Sequence, residues 1–291
     1  MKTLYHYCSP SAFISMITER SIWLSALSLS NDYMEGKIMS RRFDAIFERE
    51  SLDKASVAPI RSAIESLPEL FEGLAFCLSE NGDLLSQWRG YALNGEGFSI
   101  GFSLEYFHQL LFGESGENKS KIYLKKAIYE PSEQEKALLP IIIKLKEEVV
   151  AGKLKRPKPL TALGSIGNPN AELEYSNKLQ EYKSRLLEQY HNIAMSLEDL
   201  YSFKNPAFSE ENEWRLISHF TKDSKEQCQF RVSENRIVPY REIKLHKLGI
   251  PPISEVIIGP KNSTPEYVVK RLLSQHGLEN VGVRRSDASY R

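Results

Sequence analysis

The sequence predicts an α+β fold, with a mostly antiparallel sheet core, flanking helices and a helical insertion at about 132–200. Three observations carry this expectation. Short apolar or alternating runs bounded by turn residues recur toward both ends of the chain, at 4–7, 22–25, 73–79, 98–102, 213–219 and 256–259. The longest run of helical residues lies in one block between them, at about 132–200. Strands and helices are therefore segregated rather than strictly alternating, the pattern of α+β rather than of βαβ units. The 291 residues suffice for one such domain, and a single domain over 1–291 is expected.

The elements follow in order. Leu4, Tyr5, His6 and Tyr7 are aromatic and strand-prone. Ser9 and Pro10 open a helix as cap and first helical residue, with Phe13, Ile14, Met16 and Ile17 as its buried stripe. A short strand at 22–25 leads to a loop in which Asn31 and Asp32 form the turn. Residues 33–64 read as helical and polar, 73–79 as a buried strand, 84–91 as a short helix, and 94–97 as a glycine-punctuated turn. Residues 98–102 alternate like a strand, and two strand pieces at 122–124 and 127–129 flank Lys125 and Lys126.

The insertion comprises a helix over 133–150, a proline-broken basic loop at 153–159, a loop over 164–170 and a long amphipathic helix over 171–200. Strands resume at 213–219, then at 229–233 and 236–240 joined by a turn at Glu234 and Asn235, and at 256–259. Ser263 or Thr264 caps a last helix with Pro265 at its first position. It stops at Gly277, and a strand over 281–284 completes the sheet.

Bulk properties exclude several classes. The chain is 41% hydrophobic and 26% charged, values of a globular protein. Thirty-eight basic residues balance 38 acidic ones, which argues against a whole-protein footprint for nucleic acid. The basic loop at 153–158 reads either as a solvated linker or as a local contact for phosphate or nucleic acid. Three scattered cysteines, Cys8, Cys77 and Cys228, fit a reducing cytosol and give no zinc spacing. No signal-peptide core and no membrane-length apolar run is evident, so a cytoplasmic location without membrane contact is expected.

No HExxH, no phosphate loop, no GxGxxG after a strand and no GxSxG elbow occurs. A Cys77–His6 nucleophile pair is disfavoured, because Cys77 sits inside an apolar run, where cysteine is usually an inert small hydrophobe. A dispersed set of polar and aromatic residues at strand ends remains: His6, Ser25, Ser79, then Gln87, Trp88, Arg89 and Tyr91 on the short helix, and Glu213. Each admits a structural account. His6 can be a hydrogen-bonded core histidine. Trp88 and Tyr91, three apart, can share a buried helix face. Glu213 stands where an acidic loop enters a strand, with Arg215 two residues on and on the same strand face, so it reads either as a cleft carboxylate or as half of a structural ion pair.

Several blocks resemble the bacterial DUF2971 family of uncharacterised proteins. They are residues 4–7, 23–25 through Asn31, Asp32 and Glu35, 76–79 followed by Gln87, Trp88 and Tyr91, 97–102, and 211–216. Their order is also similar to the His-Tyr-Glu branch of the ADP-ribosyltransferase fold, which implies a split, mostly antiparallel sheet. That resemblance implies NAD as co-substrate, with His6 on the adenine-side ribose, Tyr91 stacked on nicotinamide and Glu213 as the catalytic carboxylate. Ser25, Ser79, Trp88 and Arg89 join His6 and Tyr91 as implied cofactor-binding residues, and Arg89 or the Lys125–Lys126 pair faces the pyrophosphate. Cleavage of the nicotinamide–ribose bond passes through an oxocarbenium-like state that one carboxylate can stabilise, with no metal required. His6 is followed by Tyr7 and Cys8, where that branch prefers Gly-Ser or Gly-Thr.

The expected function is thus an NAD-dependent ADP-ribosyltransferase-like enzyme, or an NAD glycohydrolase. Its acceptor would be an unknown protein or nucleic acid, as for a toxin or phage-defence effector. The alternative is a non-catalytic nucleotide- or protein-binding regulatory module.

Overall fold

The computed structural model describes residues 2–29, 38–112, 122–161, 169–223, 228–233 and 235–290. In chain order the elements are β1 (Thr3–Cys8), α1 (Pro10–Glu19), β2 (Ser21–Ala26), α2 (Ile38–Arg49), α3 (Lys54–Leu70), β3 (Phe71–Ser79), α4 (Leu85–Tyr91), β4 (Phe98–Ser103) and α5 (Leu104–Phe112). Then come β5 (Tyr123–Lys126), α6 (Pro131–Val150), α7 (Ala171–Ala194), α8 (Leu197–Leu200), β6 (Glu213–Thr221), β7 (Gln229–Ser233), β8 (Arg236–Lys244), β9 (Ile253–Ile258), α9 (Glu266–Gln275) and β10 (Gly282–Arg285). The chain forms two compact units. The first comprises Met1–Tyr33, Glu72–Ala127 and Pro206–Arg291; the second comprises Met34–Phe71 and Ile128–Asn205.

The first unit carries a mostly antiparallel sheet, ordered β10-β9-β4-β1-β3-β2-β8-β7. Among its described pairs, only β10 with β9 is parallel. The path branches at β3, which pairs with β1 at Tyr5↔Ser79, with β2 at Ser25↔Ala75, and with β6. The strand expected at 98–102 is β4, and all six of its residues are buried, so it is a fully covered inner strand. Its core is apolar and aromatic, built on Leu4, Phe13, Ile22, Leu74, Phe76, Phe102, Phe107 and Ile258.

Local chemistry sets several of these elements. Ser9 accepts from the Ala12 amide at 3.2 Å, and Pro10 follows it at the first helical position. Phe13, Met16 and Ile17 are buried on α1, but Ile14 is half exposed, because it lies about 100° around the helix from Phe13. Gly97 lies against β1, where an added Cβ would meet the Cys8 carbonyl oxygen at 2.1 Å. Gly277 ends the last helical segment with a φ of 68°.

Other expectations need correction. The α9 cap residue is Pro265 itself, with no side-chain cap; the Thr264 amide instead donates to Asn262 Oδ1. The lysines 125 and 126 are inside β5, not between two strands, and Ile128 makes only an isolated bridge to Phe203. Helix α5 went unforeseen, although Ser103 Oγ caps it at the Tyr106 amide. The turn residues Asn31 and Asp32, with Glu35, lie outside the described residues, as do Glu234 and part of the loop over 164–170.

The second unit is helical. The polar stretch 33–64 resolves into α2 and α3, separated where Ser51 takes a φ of 51° and Asp53 caps α3. α3 packs on α2 and α7, and α6 packs on both as well. Gln134 is fully buried at its heart: its amide nitrogen donates to the carbonyls of Ile128 and Lys204, and its oxygen accepts from Arg42 Nε at 2.9 Å. The long helix over 171–200 is broken at 195–196. In the basic loop, fully buried Leu154 is the anchor and Lys153 pairs with Glu148 at 2.9 Å; Lys155, Arg156 and Lys158 are exposed.

Candidate functional site

Residues of β1, α1, β2, β3, α4, β7 and β8, all in the first unit, enclose a cleft of about 420 Å³. That volume lies within the range of small-molecule sites. His6, Ser25 and Tyr91 of the expected set line it, together with Trp23, Phe76, Cys77, Arg231, Ser233 and Arg236. Among the described residues, no aspartate or glutamate lines it.

His6 stacks on Phe76 with ring centroids 4.1 Å apart. Its Nδ1 lies 2.8 Å from the Cys77 carbonyl oxygen. A carbonyl only accepts, so Nδ1 carries the hydrogen and Nε2 of the neutral ring is left as an acceptor. Burial pushes the His6 pKa down from 6.5 to about 4; the Cys77 carbonyl opposes this and the Arg231 charge adds to it. The folded state therefore keeps the ring neutral where the unfolded chain takes up a proton. The stability this contributes is complete above about pH 6.5, declines as pH falls toward about 4, and is absent below. His6→Gln is expected to flatten that acid limb in urea titrations run across this pH window. An undiminished pH slope in the variant would remove His6 as its source.

Ser25 Oγ accepts from Arg231 Nη2 at 3.1 Å. Arg236 Nη1 reaches the Leu29 carbonyl at 3.4 Å. Trp23 packs on Tyr240 at 4.8 Å between centroids, so an aromatic wall stands beside these cations. Tyr91 is partly exposed at the end of α4, and its hydroxyl donates to Glu211 Oε1 at 3.0 Å. Cys77 is exposed at the cleft, not the inert buried thiol expected from its apolar neighbours; as residue seven of β3 it alternates with buried Phe76 and Leu78.

The structure does not bring Ser79, Trp88, Arg89 and Glu213 to the cleft. Ser79 is buried; its Oγ donates to the Glu211 carbonyl at 2.6 Å and accepts from the Asn81 amide, tying β3 to the turn before β6. Trp88 is fully buried in a small cluster with Tyr7, Ala92 and Ile257, and does not share a face with Tyr91. Arg89 lies 4.8 Å from the centre of the Tyr290 ring, an exposed cation–π contact. Lys126 pairs with Glu80 at 3.0 Å, beside Lys2 and Trp214 Nε1 on the same oxygen.

Glu213 opens β6 and is buried. Arg215 Nε donates to its Oε1 at 2.9 Å and Arg215 Nη2 to its Oε2 at 3.1 Å. Both side chains are in the interior, on one strand face, as the two-residue spacing requires. Both carboxylate oxygens therefore serve a bidentate ion pair. The preceding Asn212 has a φ of 42°, a left-handed conformation that asparagine tolerates, and it sets the turn from the helical segment Pro206–Glu211 into β6.

Arg231, Arg236 and Trp23 were not singled out from the sequence. Alternation along β7 puts Arg231 on the face of Ser233 and opposite exposed Phe230 and Val232. That signal is readable, but the pairing β7–β8–β2 that carries Arg231 to Ser25 is a long-range register. Among the described residues, no group of three His, Cys, Asp or Glu side chains is arranged to hold a metal ion, and no helix is long and apolar enough to cross a membrane.

Neither a curated protein nor a solved structure matches the chain. A family model described as protein of unknown function (DUF2971) matches residues 87–216. The matched stretch includes Tyr91 and Glu213, whereas His6, Ser25 and Arg231 lie outside it. The match covers 130 of the 291 residues and shows a likeness to that family over this stretch.

Proposed function

We propose that the chain is a nucleotide-binding module whose cleft takes an anionic nucleotide, with NAD as the first probe. The observation that carries this reading is the composition of the cleft wall: aromatic rings of Trp23, Phe76 and Tyr91 stand beside two arginines, with no carboxylate among the described lining residues. A planar base stacks on such rings, and its phosphates meet the guanidinium groups. Neutral His6 and the hydroxyls of Ser25 and Ser233 complement sugar hydroxyls. Isothermal calorimetry with NAD, ADP-ribose and AMP tests the reading, combined with alkylation of Cys77 in a Cys228→Ser background. Nucleotides are expected to bind and to shield Cys77. Absence of both heat and shielding up to millimolar ligand would sink the proposal.

A second reading, an ADP-ribosyltransferase-like enzyme consuming NAD, is favoured by one contact. The hydroxyl of Tyr91, a cleft-lining residue, donates to Glu211, two residues ahead of Glu213. In that reading Glu211, not the Arg215-bound Glu213, supplies the carboxylate that stabilises the oxocarbenium-like state. NAD turnover by purified protein, with Glu211→Gln as control, is the measurement. Turnover that is absent in the parent protein, or unchanged in the variant, removes this role.

A further inference from the structure

We propose that Arg231 and Ser25 form an oxyanion subsite that holds a phosphate group of the bound nucleotide, with Arg236 as a second, outer cation; this assignment rests on the nucleotide reading of the cleft.

Several arginines elsewhere in the chain are paired with carboxylates. Arg49 pairs with Glu135 at 2.7 Å, Arg185 with Glu148 at 3.0 Å, Arg215 with Glu213 and Arg284 with Glu255. Arg231 differs. Among the described residues no carboxylate lies within ion-pair distance of it; Nη2 donates to Ser25 Oγ, and Nε is buried with no hydrogen-bond partner. Burial pulls its pKa down, whereas hydrogen bonds from the guanidinium to Glu135 and to Glu181 hold those of Arg49 and Arg185 up. A partly buried cation without an anion is costly, and a buried donor without an acceptor adds to the cost.

Geometry supplies the remedy. The guanidinium lines the cleft, and its planar fork matches two oxygens of a phosphate. Ser25 Oγ, already accepting from Arg231, has its own hydrogen free to orient toward a third oxygen. Arg236 lines the same cleft and is exposed, its one described bond being a long contact to the Leu29 carbonyl. The strand register explains the pairing: Ser25 opposes Tyr240 on β8, and Arg231 opposes Val238, two residues away on the same face. The Arg231 charge already acts on the His6 ring, so an anion bound at Arg231 will be felt there.

The test compares ADP-ribose, adenosine and inorganic pyrophosphate on the parent chain, Arg231→Gln, Arg231→Lys and Ser25→Ala. Calorimetry and the NMR titration of the His6 ring are the two readouts. ADP-ribose is expected to lose roughly 10- to 100-fold in affinity in Arg231→Gln, the equivalent of one charge-assisted hydrogen bond or a pair of them, while adenosine is unaffected. Arg231→Lys retains the charge without the fork and is expected to fall between. Pyrophosphate is expected to raise the His6 pKa in the parent chain and not in Arg231→Gln. Equal affinity of adenosine and ADP-ribose for the parent chain overturns the subsite and leaves the nucleotide reading standing. Pyrophosphate binding that depends on Arg231, without binding of any nucleotide, supports the subsite and overturns the reading. If Arg231→Gln does not fold, Arg231→Lys and Ser25→Ala carry the comparison, and unchanged ADP-ribose affinity in both overturns the proposal.

Discussion

Glu213→Ala is expected to destabilise the protein by about 3–5 kcal/mol, the magnitude for breaking one side of a buried ion pair. The cause is what remains rather than what is removed. Arg215 is about 1% exposed, and without Glu213 its guanidinium keeps its charge in the interior with two hydrogen bonds lost. Glu213→Gln preserves the shape and one acceptor oxygen, so it should cost less. Replacing both partners, as in Glu213→Met with Arg215→Leu, should recover much of the loss, because no charge is left buried. Equilibrium urea unfolding measures all three. A loss under about 1 kcal/mol for Glu213→Ala would show that water reaches the pair and that its role is not structural. The outcome also bears on function. A variant at Glu213 that loses ligand binding only in proportion to its unfolded fraction marks the residue as part of the framework.

The sequence carried much of the fold and part of the cleft, and the split between the two has physical reasons. Local signals transferred well: Ser9 and Pro10 start α1, and Gly277 ends the last helical segment, because caps and left-handed residues act within one turn of chain. Burial depth transferred less well than element type. The strand β4 lies where its alternation predicts, but neighbours on both faces bury all six of its residues. At the cleft, His6, Ser25 and Tyr91 converge: His6 and Ser25 lie within β1 and β2, on either side of β3, and Tyr91 ends α4. Trp88 and Tyr91 look alike as neighbouring aromatics three apart, yet Trp88 enters the Tyr7–Ile257 cluster and Tyr91 stays partly exposed. The position of Glu213 follows from a two-residue spacing that was readable; choosing between cleft and ion pair required the third dimension. Arg231 illustrates the opposite limit: nothing within its own strand says that a serine more than two hundred residues away will receive its hydrogen bond.

Trp88→Ala is expected to cost about 3–5 kcal/mol, as for other large aromatic side chains removed from a core. The indole has no exposed surface, meets Tyr7 edge-on at 4.9 Å and donates from Nε1 to Asp83 Oδ1 at 2.7 Å. Asp83 also accepts from Ser286 Oγ and the Asp287 amide, so the indole sits under a clasp between the loop before α4 and the chain after β10. Trp88→Phe separates the two contributions. It retains most of the ring burial and loses the bond to a charged acceptor, so a cost of about 1.5–3 kcal/mol is expected. The Asp83 carboxylate keeps its other donors, which limits that loss. Because α4 also carries Tyr91, the alanine variant should expose Cys77 to alkylation faster even under conditions where it remains folded. Equal costs for the two variants would assign the effect to the hydrogen bond alone; a negligible cost for alanine would take Trp88 out of the core and return it to consideration as a ligand contact.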